Sequence, residues 1–316
     1  MYQVKTLNKI SPVGLAHLTE SYILTDKTED ADAILVRSQD MHEMEISEKL
    51  EAIARAGAGV NNIPLDRCAK AGIVVFNTPG ANANAVKELV LCGMLLASRN
   101  VPAALTWAKG LTEDVSKTVE KGKSQFAGHE ILGKTLGIVG LGAIGRKVAE
   151  AAKALGMNIV GYDPYYVSGG EGLTVYPDLA EMLPLCDIVT LHLPANDATK
   201  GMVNKEFLAS MKDGAILLNF SRDKLVNDVD LLVALESGKL TQYVTDFPND
   251  NLIGREHITL LPHLGASTAE AEDNCATMAV MELRDYFENG NINAVMDGDI
   301  DGFINAYLKQ NAANNK

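Results

Sequence analysis

The stretch LGIVGLGAIGRKVAEAAKALGMNIVGYDP, residues 136–164, restricts what this chain can fold into more than any other. An apolar β-branched run leads into Gly140, Gly142 and Gly145, spaced G-x-G-x-x-G, which open an alanine-rich helical segment. A second β-branched run follows and stops at Asp163, 18 residues beyond Gly145. Each part has a physical task. Gly140 permits the tight turn out of the strand, and Gly142 lets backbone approach a pyrophosphate. Gly145 lets helix and strand pack closely, while the helix N-terminus faces the anion. A carboxylate at Asp163 suits the hydroxyls of an adenosine ribose and repels a 2′-phosphate. Pro164, Tyr165 and Tyr166 bring no arginine to receive such a phosphate. The expectation is an NAD site rather than an NADP site, the alternative being a structural glycine turn in some other α/β protein.

The rest of the chain repeats this alternation. Short β-branched runs at 3–7, 33–37, 52–56 and 74–77 read as strands, as do runs at 136–139, 159–162, 188–193, 215–220, 242–245 and 258–261. Helical patterns at 64–71, 144–155, 179–185, 205–211 and 226–237 lie between them, with longer helices predicted at 83–97 and 269–289. Strands separated by helices form βαβ units and a parallel sheet. At about 150 residues per domain, 316 residues predict two domains. A hydrophobic share of 47% can fill their cores, and with aromatics at 5% the filling is aliphatic.

A net charge of −13 argues against nucleic acid or an anionic membrane as a general partner, while leaving room for a local basic pocket. Cys68, Cys92, Cys186 and Cys275 are far apart and form no C-x-x-C pair, so reduced thiols are expected and no metal site. The N-terminus MYQVKTLNK has no apolar core of a signal peptide, and the most apolar stretch, 89–97, is too short to span a bilayer. A cytoplasmic location is the expectation.

Oxidation of an alcohol by a nicotinamide needs a base for the hydroxyl proton and a cation for a neighbouring carboxylate. Of six histidines, His263 stands just after the strand ITLL and before LGAST, at the carboxyl end of a strand, where open α/β sheets place ligands. It reads equally as a base or as a loop histidine. His192 lies inside the apolar run DIVTLHL and reads first as a strand histidine. Arg222 follows the strand GAILLNF, and its planar fork suits a carboxylate, although Asp223, Asp228 or Asp230 could engage it at the surface. Asp246 and Asp250 are the acids available to orient the histidine.

Taken together, GLGAIG…YDP, LLNFSRDKLVN, TDFPNDNL and LLPHLGAST resemble, in this order, the D-isomer-specific 2-hydroxyacid dehydrogenases. Upstream, RSQDM and IARAGAGVNNIPLDRCAKAGIVVFNTPGANANAVKE resemble the phosphoglycerate dehydrogenases within that family. The resemblance runs from about residue 37 to 293. It implies an α/β fold of two Rossmann-like parallel-sheet domains. A nucleotide domain (98–289) would be inserted in a flavodoxin-like substrate domain made of 1–97 and 290–316.

The resemblance also implies roles. Arg222 matches the substrate-orienting arginine, although the usual Arg-Gly is Arg-Asp here, and His263 matches the catalytic histidine. Asp246 matches the aspartate that contacts the nicotinamide amide. The family's catalytic glutamate is absent as such; with one residue deleted after Asp246 it falls on Asp250, one methylene shorter. Ala143, Ile144, His192, Pro194, Thr199 and Gly265 complete the implied cofactor contacts. The amides of Ala58 and Gly59 would hold the substrate carboxylate as a small anion nest. Arg37, Ser38, Arg55 and Asn82 would surround a substrate phosphate, ordinary loop chemistry being the alternative for each.

The activity so implied is NAD-dependent, reversible oxidation of D-3-phosphoglycerate, as in the first step of serine synthesis, by a homodimer joined through its nucleotide domains. Two alternatives stand beside it. A non-phosphorylated D-2-hydroxy acid or its keto partner (glyoxylate, hydroxypyruvate, D-lactate) would not need Arg37 and Arg55. A non-catalytic, NAD-sensing corepressor-like protein would not need Arg222 and His263. The 23 residues after Asn293, with the amphipathic stretch FINAYLKQ, are too few for an added serine-sensing domain.

Overall fold

Four consecutive small or branched apolar residues, Ala33–Val36, form a strand buried on both faces, and one of the two sheets is built around it. The computed structural model describes residues 1–166, 170 and 172–292. Its strands are β1 (Tyr2–Leu7), β2 (Tyr22–Thr25), β3 (Ala33–Val36), β4 (Ala52–Arg55), β5 (Val74–Phe76), β6 (Thr135–Val139), β7 (Asn158–Tyr162), β8 (Leu173–Val175), β9 (Ile188–Leu191), β10 (Ala215–Asn219), β11 (Leu240–Thr245) and β12 (Ile258–Leu260). Its helices are α1 (Pro12–Leu15), α2 (Leu65–Ala71), α3 (Ala83–Ser98), α4 (Val101–Lys109), α5 (Val115–Gly122), α6 (Ala143–Ala154), α7 (Leu179–Met182), α8 (Lys205–Ser210), α9 (Asp228–Glu236) and α10 (Ala269–Asn289).

The chain divides into two units, Met1–Ala85 with the segment beginning at Ala266, and Val86–Gly265. In the first, five parallel strands run in the order β2-β1-β3-β4-β5. This is the flavodoxin-like order, whose ligand-binding crevice lies where the order reverses, at the carboxyl ends of β1 and β3. In the second, seven parallel strands run β12-β11-β10-β9-β6-β7-β8, and the reversal lies between β6 and β9. Two parallel-sheet α/β units are what the alternation of strands and helices predicts.

The unit boundaries differ from those expected at 97/98 and 289/290, and packing explains why. Ala276, Ala279, Val280 and Leu283 of α10 share a core with Val4, Leu35 and Ala54, so this helix covers the first sheet. Val86, Val90 and Met94 of α3 pack with Ile138 and Leu218 of the second. Thr268 caps α10 by accepting from the Ala271 N–H. Strands β2 and β8 and helices α1, α4 and α5 are additional to the predicted elements. Edge strands carry weak alternation; Ile23 and Leu24 of β2 are exposed. The tail containing FINAYLKQ lies outside the described residues. Among the described residues no single helix is long and apolar enough to cross a membrane, and no cluster of metal-binding side chains occurs.

Candidate functional site

In the second unit the glycine loop occupies the reversal point. Gly140 turns with φ +100, and a Cβ there would strike the carbonyl of His192 at the end of β9. A Cβ on Gly145 would strike the Gly140 carbonyl, so the loop and the first turn of α6 touch backbone to backbone. A Cβ on Gly142 would meet nothing, which leaves the open approach a pyrophosphate requires. Ala143 and Ile144 begin α6 directly behind it. Asp163, past the end of β7, accepts the N–H of Leu141 at 2.7 Å and of Tyr165 at 2.9 Å. Its carboxylate thereby braces the loop, and each oxygen keeps a further acceptor site for a ribose hydroxyl.

One cation near this corner is absent from the sequence reading. Arg146, in the first turn of α6, donates to the Tyr166 hydroxyl at 2.5 Å and lies 5.5 Å from that ring's centre. The helical turn, and not the residues that follow Asp163, brings an arginine here. His192 bonds the Thr190 hydroxyl through Nε2 at 3.1 Å, and its buried Nδ1 has no partner. Burial pushes its pKa down to about 3, so the ring is neutral and serves as a hydrogen-bonding group. Thr199 donates to the Pro194 carbonyl at 2.6 Å, closing the loop after β9.

Further along the same edge, Arg222 follows β10, held by its own carbonyl, which accepts from Asn219 at 2.9 Å. Its guanidinium donates to the Ser221 carbonyl at 2.7 Å. No ion pair involves Arg222 among the described residues, and two of the three acids nearest to it in sequence are engaged elsewhere. Asp230 caps the Lys205 N–H, and Asp228 accepts from Asn249 and Asn251. Asp246, at the end of β11, is 1% exposed. One of its oxygens accepts the Gly265 N–H at 3.1 Å, and the other is buried without a partner. Burial raises its pKa, against the pull of the Gly265 N–H, His263 and Arg222. His263 is exposed at φ +50, a left-handed conformation that costs a non-glycine residue about 1–3 kcal/mol and that occurs preferentially at functional sites. Phe247 packs edge-on against its ring at 4.9 Å.

Arg222, Asp246 and His263 are therefore brought together, whereas Asp250 is not. Asp250 is exposed and has no hydrogen bond or ion pair to His263 among the described residues. Its neighbours Asn249 and Asn251 both bond Asp228, and Asn249 also caps the N–H groups of Asn251 and Leu252. That pinning directs the intervening carboxylate to solvent and corrects the expected His263–Asp250 link.

In the first unit the strand ends gather polar groups around the β1/β3 reversal. Asn8, at φ +67 after β1, accepts the N–H of Ser38 and of Gln39, tying the end of β3 to β1. Register pairs Val36 with Arg55, and Arg55 Nε donates to the Arg37 carbonyl at 3.1 Å, so the two arginines are adjacent. Arg37 also meets Glu272, from the first turn of α10, at 2.7 Å. The Arg55 guanidinium folds over Gly57, where a Cβ would strike it. The N–H groups of Ala58 and Gly59 have no acceptor among the described residues. Asn77, at the buried end of β5, holds the Ala58 carbonyl at 2.6 Å. The side-chain oxygens of Asn77 and Asn82 are buried without partners, open to a ligand's donors. Asn8, Asn77 and Glu272 escape sequence reasoning; only Asn77, polar immediately after the run VVF, carried a signal.

The second unit fits a dinucleotide by three observations: the open face at Gly142, the free oxygen of buried Asp246, and the buried, free Nδ1 of His192. Comparison with known proteins agrees. The family model described as D-isomer specific 2-hydroxyacid dehydrogenase, NAD binding domain, matches residues 91–265. D-3-phosphoglycerate dehydrogenase of Methanocaldococcus jannaschii is 36% identical over 295 residues, covering 89% of this chain and 54% of that protein. The chain thus spans about half the length of the curated relatives it matches. Among solved structures, NAD⁺-bound 3-phosphoglycerate dehydrogenase of Entamoeba histolytica superposes with a TM-score of 0.75 at 27% identity, covering 94% of this chain and 99% of that one. A glyoxylate reductase from Paecilomyes thermophila superposes with a TM-score of 0.78 at 26% identity, covering 92% and 96%.

Proposed function

This chain belongs to the D-isomer specific 2-hydroxyacid dehydrogenase family, and from that premise we propose that it oxidises D-3-phosphoglycerate to 3-phosphohydroxypyruvate, reversibly. NAD, when bound, supplies the acceptor for the hydride that leaves C2 of the substrate. Arg222 holds the substrate carboxylate and stabilises the developing carbonyl, for which its fork, engaged by no acid among the described residues, is available. His263 takes the hydroxyl proton in oxidation and returns it in reduction. Asp246 favours the imidazolium that results, and its free oxygen accepts from the nicotinamide amide. Within the first unit, the free amides of Ala58 and Gly59 are the groups suited to a carboxylate, and Arg37 and Arg55, with Ser38 and Asn82, those suited to a phosphate.

The observation that carries this reading is the grouping of Arg222 and His263 around a buried carboxylate at adjacent strand ends. A non-catalytic NAD sensor would need neither group. NADH formation with 3-phosphoglycerate, D-glycerate and D-lactate, compared side by side, tests it. One observation favours a second reading, reduction of a non-phosphorylated acid such as glyoxylate: Glu272 offsets the charge of Arg37.

We also propose a homodimer formed through the second unit. Helices α4 and α5 bury none of their residues in this chain, and they expose Leu105 and Val115. The apolar helix α4, none of whose residues is buried, suits a second copy. All four cysteines are free, in keeping with a reducing, cytoplasmic setting.

A further inference from the structure

We propose that Glu272 is an intramolecular counter-ion that competes with the substrate's phosphate for Arg37 and so sets the affinity for phosphorylated substrate. The inference rests on the reading that Arg37 and Arg55 receive that phosphate.

The geometry is specific. Arg37 Nη2 lies 2.7 Å from Glu272 Oε1, and Arg55 is anchored on the Arg37 carbonyl, so two guanidinium groups and one carboxylate share a corner of the first unit. The thiol of Cys275, one turn along α10, senses all three: burial raises it, Arg55 and Arg37 lower it, and Glu272 raises it. Glu272 stands in the first turn of α10, where the N–H ends of the helix favour an anion.

The Arg37 and Glu272 side chains are 40% and 44% exposed. An ion pair so open to water contributes little and exchanges readily. Of the five guanidinium donors of Arg37, this contact occupies one. An arriving phosphate dianion brings more charge and three acceptor oxygens to the same cation, and it meets a like charge on Glu272. Either the carboxylate yields its place or phosphate and carboxylate share the guanidinium. In both cases Glu272 weakens phosphate binding, and an acid with an uncharged tail escapes that penalty.

The test uses the intact protein with E272Q, E272A and R37A, their folding compared by thermal melting. The constants measured are KM for 3-phosphoglycerate, KM for D-glycerate, and inhibition by inorganic phosphate. Removing one like charge at this exposure should lower KM for 3-phosphoglycerate, relative to that for D-glycerate, by about two- to fivefold in both Glu272 variants. Inorganic phosphate should inhibit at correspondingly lower concentrations. A ratio that stays constant or rises in both Glu272 variants overturns the inference, provided R37A selectively weakens 3-phosphoglycerate. If R37A weakens both substrates equally, the phosphate reading itself fails and the inference goes with it.

Discussion

The main-chain N–H of His263 donates to the carbonyl oxygen of Asp246 at 3.0 Å, which ties the loop bearing the imidazole to the end of the strand bearing a buried carboxyl. Backbone rather than side chain sets this spacing, so the histidine can lose its ring without losing the loop. His263→Ala should therefore lower turnover by roughly 10²–10⁴-fold while NAD still binds. Turnover near normal, with NAD titrated by fluorescence, would remove His263 from the mechanism.

Asp246 carries a stability signature. Burial raises its pKa above the ordinary 3.8, so the folded protein holds this proton to higher pH than the unfolded chain does. Below the unfolded value the group adds no pH dependence. Between the unfolded and folded values the wild type loses stability as pH rises, because ionisation is disfavoured only in the folded state. Asp246→Asn keeps an acceptor for the Gly265 N–H and removes the charge. Its melting temperature, relative to wild type, should rise across that acidic window and stay higher at neutral pH, while activity falls. A relative melting temperature independent of pH would contradict this.

For Asp250 the structure predicts a small effect. Its carboxylate faces solvent from a loop pinned on Asp228, so Asp250→Asn should keep kcat/KM within about threefold and leave the acid limb of the pH profile in place. A displaced limb would mean that the loop releases Asp228 during turnover.

Much of this was legible in the residues. The glycine loop, Arg222 and His263 each sit beside a β-branched run, and the carboxyl end of a parallel strand is a place that one-dimensional pattern can mark. What lay beyond it was topology. Glu272 meets Arg37 only because α10, 235 residues further on, covers the first sheet. Asn8 meets Ser38 only because β1 lies beside β3. The displacement of Asp250 follows from hydrogen bonds to Asp228, 22 residues upstream, which no alignment of motifs encodes.

Cofactor choice should depend on two opposed charges. Asp163 repels a 2′-phosphate, while Arg146, in the first turn of α6, is held against Tyr166. NAD should be strongly preferred by the wild type, and Asp163→Ala should gain activity with NADP by about ten- to a hundredfold, the worth of one charge-assisted contact. Adding Arg146→Ala should erase most of that gain. Equal use of both cofactors by the wild type would contradict the assignment.

Oxidation of a phosphorylated D-2-hydroxy acid, the activity proposed above, is read in the rate of NADH formation. With 3-phosphoglycerate, D-glycerate and D-lactate at matched concentrations, kcat/KM for 3-phosphoglycerate should exceed the other two by at least about tenfold, the contribution of one phosphate–arginine contact. Equal or greater kcat/KM with either unphosphorylated acid would contradict the account.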